Sequence, residues 1–261
     1  MPTIKLSGIH GILLDMDGVI YRGDRLLDGV AAFLDGLSLP YLFITNNSSR
    51  TPEQVAQKLT GMGIRANPDH ILTSSIATAQ FLRHEAPEGT PVYAIGEIGL
   101  NAALQNAGFV LTSEAPHYVV VGLDYEFDNA KLSTASRLIQ QGAAFIATNM
   151  DRVLATEDGE HPGTGSIVQQ VIDASGHHPL VMGKPERRIF EMAAARLGLS
   201  LENLLMVGDN LDTDILGAKQ AGMPNVLVMT GVTSAEMLAI APIGADYVIP
   251  ALPQLAELLG S

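Results

Sequence analysis

The sequence predicts an α/β protein built on a doubly wound parallel sheet, with a second α/β unit inserted part-way along the chain. Three observations predict it. Short apolar runs recur between amphipathic stretches, and each run stops at a polar or glycine-containing loop. The first run, Ile12-Leu13-Leu14, breaks off in Asp15-Met16-Asp17-Gly18. The pattern changes character near residue 81 and returns to its first form near 181.

Each element follows from local chemistry. Ile12–Leu14 reads as a strand buried on both faces, and ligands of such sheets bind outside the carboxyl ends of their strands, where Asp15 and Asp17 fall. Leu26–Leu37 is amphipathic through Val30, Phe33, Leu34 and Leu37, which predicts a helix. Tyr41–Ile44 predicts the second strand, running into Thr45-Asn46-Asn47-Ser48-Ser49-Arg50. Thr51, Pro52 and Gln54 then predict a helix start with a capping box. Ile71–Ser74 predicts a third strand.

Glu85–Pro91 reads as a linker, after which Val92–Ile95, Phe109–Leu111, Tyr118–Val121 and Ala143–Ala147 predict strands and Asn129–Gln141 a helix. The loop Thr148–Arg152 and the glycine-rich Pro162–Ser166 follow; Gly163-Thr164-Gly165 lacks the lysine of a P-loop and reads as a turn into a helix. Val181-Met182-Gly183-Lys184-Pro185 leads to a helix over 186–197. Leu204–Val207 predicts a strand that ends in Gly208-Asp209-Asn210-Leu211-Asp212-Thr213-Asp214, with a helix towards Gly222. Val226–Met229 and Tyr247–Ile249 predict the last strands, and Leu252–Leu259 a closing helix. The expected division is 1–80 and 181–261 for the main domain and 81–180 for the insertion.

Composition narrows the function. The 261 residues are 47% apolar and 16% charged, as in a globular chain. The net charge of −13 argues against a nucleic-acid partner, which needs a basic face. No cysteine occurs, so thiol catalysis and thiolate metal sites drop out. The start, Met1–Ser7, lacks the pattern of a signal peptide, and no apolar run approaches the ~20 residues of a membrane helix. A cytoplasmic protein is expected.

Four strand-end or loop segments offer polar groups: Asp15 with Asp17, Thr45 with its asparagines, Lys184, and Asp209 with Asp214. Two carboxylates one residue apart repel and call for a counter-charge, most simply a divalent cation. Phosphoryl transfer needs such parts, because a carboxylate can attack phosphorus while a metal, a lysine and hydroxyl or amide donors neutralise its oxygens.

Asp15-Met16-Asp17-Gly18-Val19, Thr45-Asn46-Asn47, Gly183-Lys184-Pro185 and Gly208–Asp214, taken in this order, resemble the four motifs of the haloacid dehalogenase superfamily. Gly18–Gly23 and Pro162–Ser166 are similar to its NagD-like branch, which includes 4-nitrophenylphosphatase-type and pyridoxal-phosphatase-type enzymes. The resemblance spans nearly the whole chain. It implies a doubly wound, Rossmann-like core with an inserted α/β cap, and a magnesium-dependent phosphatase of small phosphorylated metabolites. By it, Asp15 is the nucleophile and Asp17 the general acid and base. Mg2+ is held by Asp15, Asp209 and the backbone carbonyl of Asp17. Thr45, Asn46 and Lys184 hold the phosphoryl oxygens, Asn47 shapes the same loop, and Asp214 orients Lys184 or a water on the metal.

In the insertion, Asn149 and Asp151 match a loop that the family directs towards its site, while Arg152 and Leu154 depart from its usual substrate contacts. The physiological substrate therefore stays open. A homodimer through the cap is compatible with the resemblance, although no pattern in the chain calls for one. Other readings of the same acids are a phospho-acceptor signalling module, a phosphoryl mutase and a dehalogenase. A receiver-like module is about half this length and lacks both the insertion and the acid two residues after the nucleophile.

Overall fold

Short apolar runs become the strands of a parallel sheet. In order across it lie Tyr247–Ile249, Asn225–Val228, Leu204–Gly208, Gly11–Leu14, Tyr41–Thr45 and Ile71–Thr73. Every residue of Gly11–Leu14, Leu204–Gly208 and Asn225–Val228 is buried, as expected for strands covered on both faces. The computed structural model describes residues 6, 8–156 and 159–260, and leaves aside the side chains at 154–156 and 160. Most of the start that was read for a leader, residues 1–5 and 7, and the Leu154 side chain lie outside the described residues.

Gly11–Leu14 pairs in parallel on both flanks, Leu14 facing Val207 on one side and Phe43 on the other. One neighbour is the next strand of this sheet along the chain and the other comes from its last third. This is the reversal of strand order at which doubly wound sheets open a crevice for ligands.

The chain forms two compact units, Met1–Thr45 with Ala56–Leu72 and Lys184–Ser261, and Asn46–Val55 with Thr73–Gly183. The second unit thus takes in residues on either side of the expected 81–180 limits, and the segment 46–55 as well. It has its own parallel sheet, ordered Leu180–Val181, Ala144–Ala147, Tyr118–Val121, Pro91–Ile95 and Val110–Leu111. Alternation along Tyr118–Val121 divides its core. Val119 and Val121 pack with Leu138, Ile139, Val168 and Val171 of the helices Asn129–Gln140 and Thr164–Ser175. Val120 packs with Leu82, Leu100 and Leu104 of the helices Ser74–Glu85 and Ile98–Asn106.

Several local expectations shift. The first helix spans only Val30–Gly36, because Leu26 pairs with Tyr21 in a hairpin that turns at Gly23. Ser74 opens a helix rather than ending a strand, since the Thr73 hydroxyl accepts the Ile76 N–H as its cap. The Glu85–Pro91 stretch contains a closed turn, with Thr90 Oγ1 donating to the Pro87 carbonyl. Val153–Thr156 and Gly159–Pro162 pair as antiparallel strands between the expected loop at 148–152 and the glycine-rich stretch. Among the described residues no helix is long and apolar enough to cross a membrane.

Candidate active site

Asp15 stands one residue beyond Leu14, and its N–H still donates to Val207, so its position is fixed by the ladder. The chain then leaves the sheet in a tight turn in which the Met16 carbonyl accepts from the Ile20 N–H and Gly18 has φ +78°. This turn separates the two acids. Asp15 is buried, whereas Asp17 is exposed.

Lys184 supplies the opposing charge. Its Nζ lies 2.6 Å from an oxygen of Asp15 and 2.6 Å from one of Asp214, and the side chain is 3% exposed. A third, longer contact of 3.5 Å runs to the Ile44 carbonyl, next to Thr45. The lysine is presented from the turn before the helix Arg187–Leu197, whose Phe190 lies against Gly217. A Cβ at Gly217 would strike the Phe190 ring, so glycine permits this close approach.

Asp214 sits in a π-helical turn, Leu211–Ile215, a rare local geometry often found at functional positions. Its second oxygen accepts the N–H groups of Asp209 at 3.2 Å and Asn210 at 3.1 Å. With Lys184 it therefore has three donors, close to what a carboxylate accepts. Asp209 is buried, and its Oδ2 accepts the Val232 N–H.

Asp15, Asp209 and Asp214 each bring a carboxylate oxygen within 4.8 Å of the others. Three buried acids against one ammonium leave an excess of negative charge, and burial then raises their pKa values. Burial, with Asp15 and Asp214 nearby, pushes Asp209 up to about 8. Asp214 is pushed up to about 6 by burial, against the pull of Lys184. Asp15 is also raised, burial outweighing Lys184. For Lys184 burial works against the charge, but Asp15 and Asp214 prevail and hold it firmly protonated. Hard oxygen donors with excess negative charge suit a divalent cation. Asp214 is the member most occupied by protein donors, which leaves Asp15 and Asp209 as the carboxylates best placed to hold one.

Thr45, buried, ends the strand beside Gly11–Leu14, on the same sheet edge as Asp15 and Asp209. Asn46 and Asn47 group with the second unit. There the Asn46 amide donates to both oxygens of Asp151 at 3.1 and 3.0 Å, and its carbonyl accepts from Asn149 and Ser74. Asn47 Oδ1 accepts the N–H of Ser49, the Ser49 hydroxyl and the Arg50 N–H, which shapes the turn into the helix Pro52–Gly61. Arg152 is exposed.

The structure thus assembles Asp15, Lys184, Asp209 and Asp214 directly, with Thr45 one strand away. It joins Asn46 separately to Asn149 and Asp151. The sequence reading passed over Thr230–Thr233, although it is a Gly-containing loop after an apolar strand of the same sheet. Applying the strand-end rule to Asn225–Val228 would have found it.

Family models match two stretches of the chain, one described as haloacid dehalogenase-like hydrolase over residues 12–110 and one as HAD-hydrolase-like over residues 181–255. The chain is 40% identical to an acid sugar phosphatase of Staphylococcus saprophyticus, over 97% of this chain and 99% of that protein. Its structure is similar to that of a 4-nitrophenylphosphatase from Thermotoga maritima, with a TM-score of 0.93, 32% identity, and 97% and 98% of the two chains covered. It is also similar to a glycerol phosphate phosphatase from Mycobacterium tuberculosis in complex with magnesium. There the TM-score is 0.88 at 33% identity, covering 93% of this chain and 74% of that one.

Proposed function

Because the chain belongs to the haloacid dehalogenase-like hydrolases and is a phosphatase of their NagD-like, 4-nitrophenylphosphatase-type branch, we propose that it hydrolyses small phosphomonoesters through an aspartyl-phosphate on Asp15. The reading rests on one observation above all: a buried ammonium held between Asp15 and Asp214, with Asp209 beside them. Mg2+ is the proposed cation, held by Asp15, Asp209 and the Asp17 backbone carbonyl; a relative crystallised with magnesium supports the choice. When bound, it supplies charge that neutralises phosphoryl oxygens and offsets the repulsion among the carboxylates.

The residues then divide the work. Asp15 attacks phosphorus, forming its acyl-phosphate bond as the ester P–O bond breaks. Asp17, exposed at the turn, gives its proton to the departing alkoxide oxygen. It next takes a proton from water, whose oxygen attacks the same phosphorus. The bond to Asp15 breaks, phosphate leaves and the carboxylate is restored. Lys184 fixes the direction of Asp15 and adds a compact positive charge, which Asp214 orients in turn. Thr45, Asn46 and Lys184 are proposed to hold the phosphoryl oxygens, with Asn47 shaping their loop.

Residues 81–180, the bulk of the second unit, are proposed to act as the cap that selects substrates, the Asn149–Asp151 loop contributing. The names of the relatives favour small sugar or polyol phosphates. Hydrolysis of 4-nitrophenyl phosphate with Mg2+ is the direct test, followed by a screen of sugar phosphates, glycerol phosphate, pyridoxal phosphate and phosphoglycolate. Turnover is expected with Mg2+ and not with a chelator. Absence of turnover with Mg2+, Mn2+ or Co2+ overturns the proposal. An Asp15→Asn protein that still turns over places the nucleophile elsewhere.

A further inference from the structure

The loop after Asn225–Val228 has no step in the reaction as derived, yet it is bonded to the site at four points. Thr230 Oγ1 donates to the Gly18 carbonyl, and Arg22 donates to the Gly231 carbonyl at 3.1 Å. The Val232 N–H donates to Asp209 Oδ2, and the Thr233 N–H to the Asp209 carbonyl at 3.2 Å. Sterics point the same way. A Cβ on Gly231 would run into the Asp209 side chain, and one on Gly18 would run into the Asp209 carboxylate and the Gly231 Cα. The carboxylate therefore lies between two stretches of bare backbone, with one oxygen held by an amide. The strand Leu204–Gly208 places the Asp209 backbone but leaves the side-chain torsions to their surroundings.

We infer that Thr230, Gly231 and the Val232 amide form a positioning clasp. It sets the direction in which Asp209 offers its carboxylate, and it ties that carboxylate to the Gly18 turn that carries Asp15 and Asp17. None of the three groups touches the reacting atoms; they act through Asp209. The inference rests on the proposed role of Asp209 as a cation ligand.

The test is binding of Mn2+ alone to the metal-free protein, followed by the paramagnetic resonance of the free ion. Gly231→Ala is expected to weaken Mn2+ binding by about tenfold or more, in the range typical of groups that orient ligands. Circular dichroism and the denaturation midpoint are measured alongside, because the new methyl meets the Asp209 Cβ as well as its carboxylate. Thr230→Val, which loses the bond to Gly18, should weaken binding about three- to tenfold, and Thr230→Ser should restore it to within about twofold. Wild-type protein that binds no Mn2+, or an Asp209→Asn protein that binds it as the wild type does, overturns the metal reading and the clasp with it. Binding lost in Asp209→Asn but kept within about twofold in both Gly231→Ala and Thr230→Val overturns the clasp alone. If Gly231→Ala does not fold, the Thr230 pair decides.

Discussion

Lys184 is buried between two carboxylates, and its removal leaves both without a counter-charge. Lys184→Ala is therefore expected to cost about 3–5 kcal/mol of stability, read from urea unfolding. It should also lower turnover by about ten- to hundredfold or more, through loss of a charge-assisted contact. Asp17→Asn makes the contrasting case. Its side chain is exposed rather than buried, and turnover is expected to fall by about 10²–10⁴-fold.

The raised Asp209 gives a pH signature. Its carboxyl holds a proton up to about 8 in the folded protein against an ordinary 3.8, so the fold binds that proton more tightly than the unfolded chain does. The stability linked to this group is complete below 3.8 and is lost as pH rises through about 8. Metal-free protein should melt lower at pH 9 than at pH 6, and added Mg2+ should narrow the difference. The acids and the lysine were legible in the sequence because chemistry at strand ends leaves side-chain signatures. The Thr230–Thr233 loop was legible only as a strand end, because the Val232 amide and the empty Cα of Gly231 carry no side-chain sign of what they hold.

At the scale of elements, local chemistry was the readable part. The predicted capping box forms, with the Thr51 N–H donating to Gln54 Oε1 at 3.0 Å and the Gln54 N–H donating to Thr51 Oγ1 at 3.3 Å. Thr51→Ala should cost about 1 kcal/mol, measured by denaturant midpoint. The helix Ser74–Glu85 went unread because its inner face is built of small and polar residues, Ser74, Ser75, Ala77 and Thr78, which carry little periodic contrast. The Tyr21–Leu26 hairpin was hidden by strands of two residues each. Phe190, buried, holds the helix that follows Lys184 close to Gly217. Phe190→Ala should cost about 3–5 kcal/mol and loosen the turn that presents the lysine.

For the whole molecule, the β/α alternation and its interruption were visible as a change and return of pattern. The membership of Asn46–Val55 in the second unit was not, since it depends on distant partners. Ser48 Oγ accepts the Leu123 N–H, and Ser75 Oγ donates to the Ser48 carbonyl. The charge of −13 bears on kinetics at this scale. An anionic phosphomonoester approaches a chain of its own sign, so kcat/KM at saturating Mg2+ should rise on adding an inert salt that screens the repulsion. A fall with salt would mean that the field local to the site outweighs the net charge.

The place of Gly11–Leu14 between an early strand and a late one also bears on biosynthesis. A ribosome delivers the strand that leads into Asp15 first, yet its partner at Leu204–Gly208 and the carboxylate of Asp209 arrive only after three-quarters of the chain has emerged. Until then one edge of the central strand is open to pairing with other chains, and Asp15 lacks both Lys184 and Asp209. A chain cut short before residue 184 lacks the ammonium and the acids that meet Asp15, and is expected to show no turnover of 4-nitrophenyl phosphate.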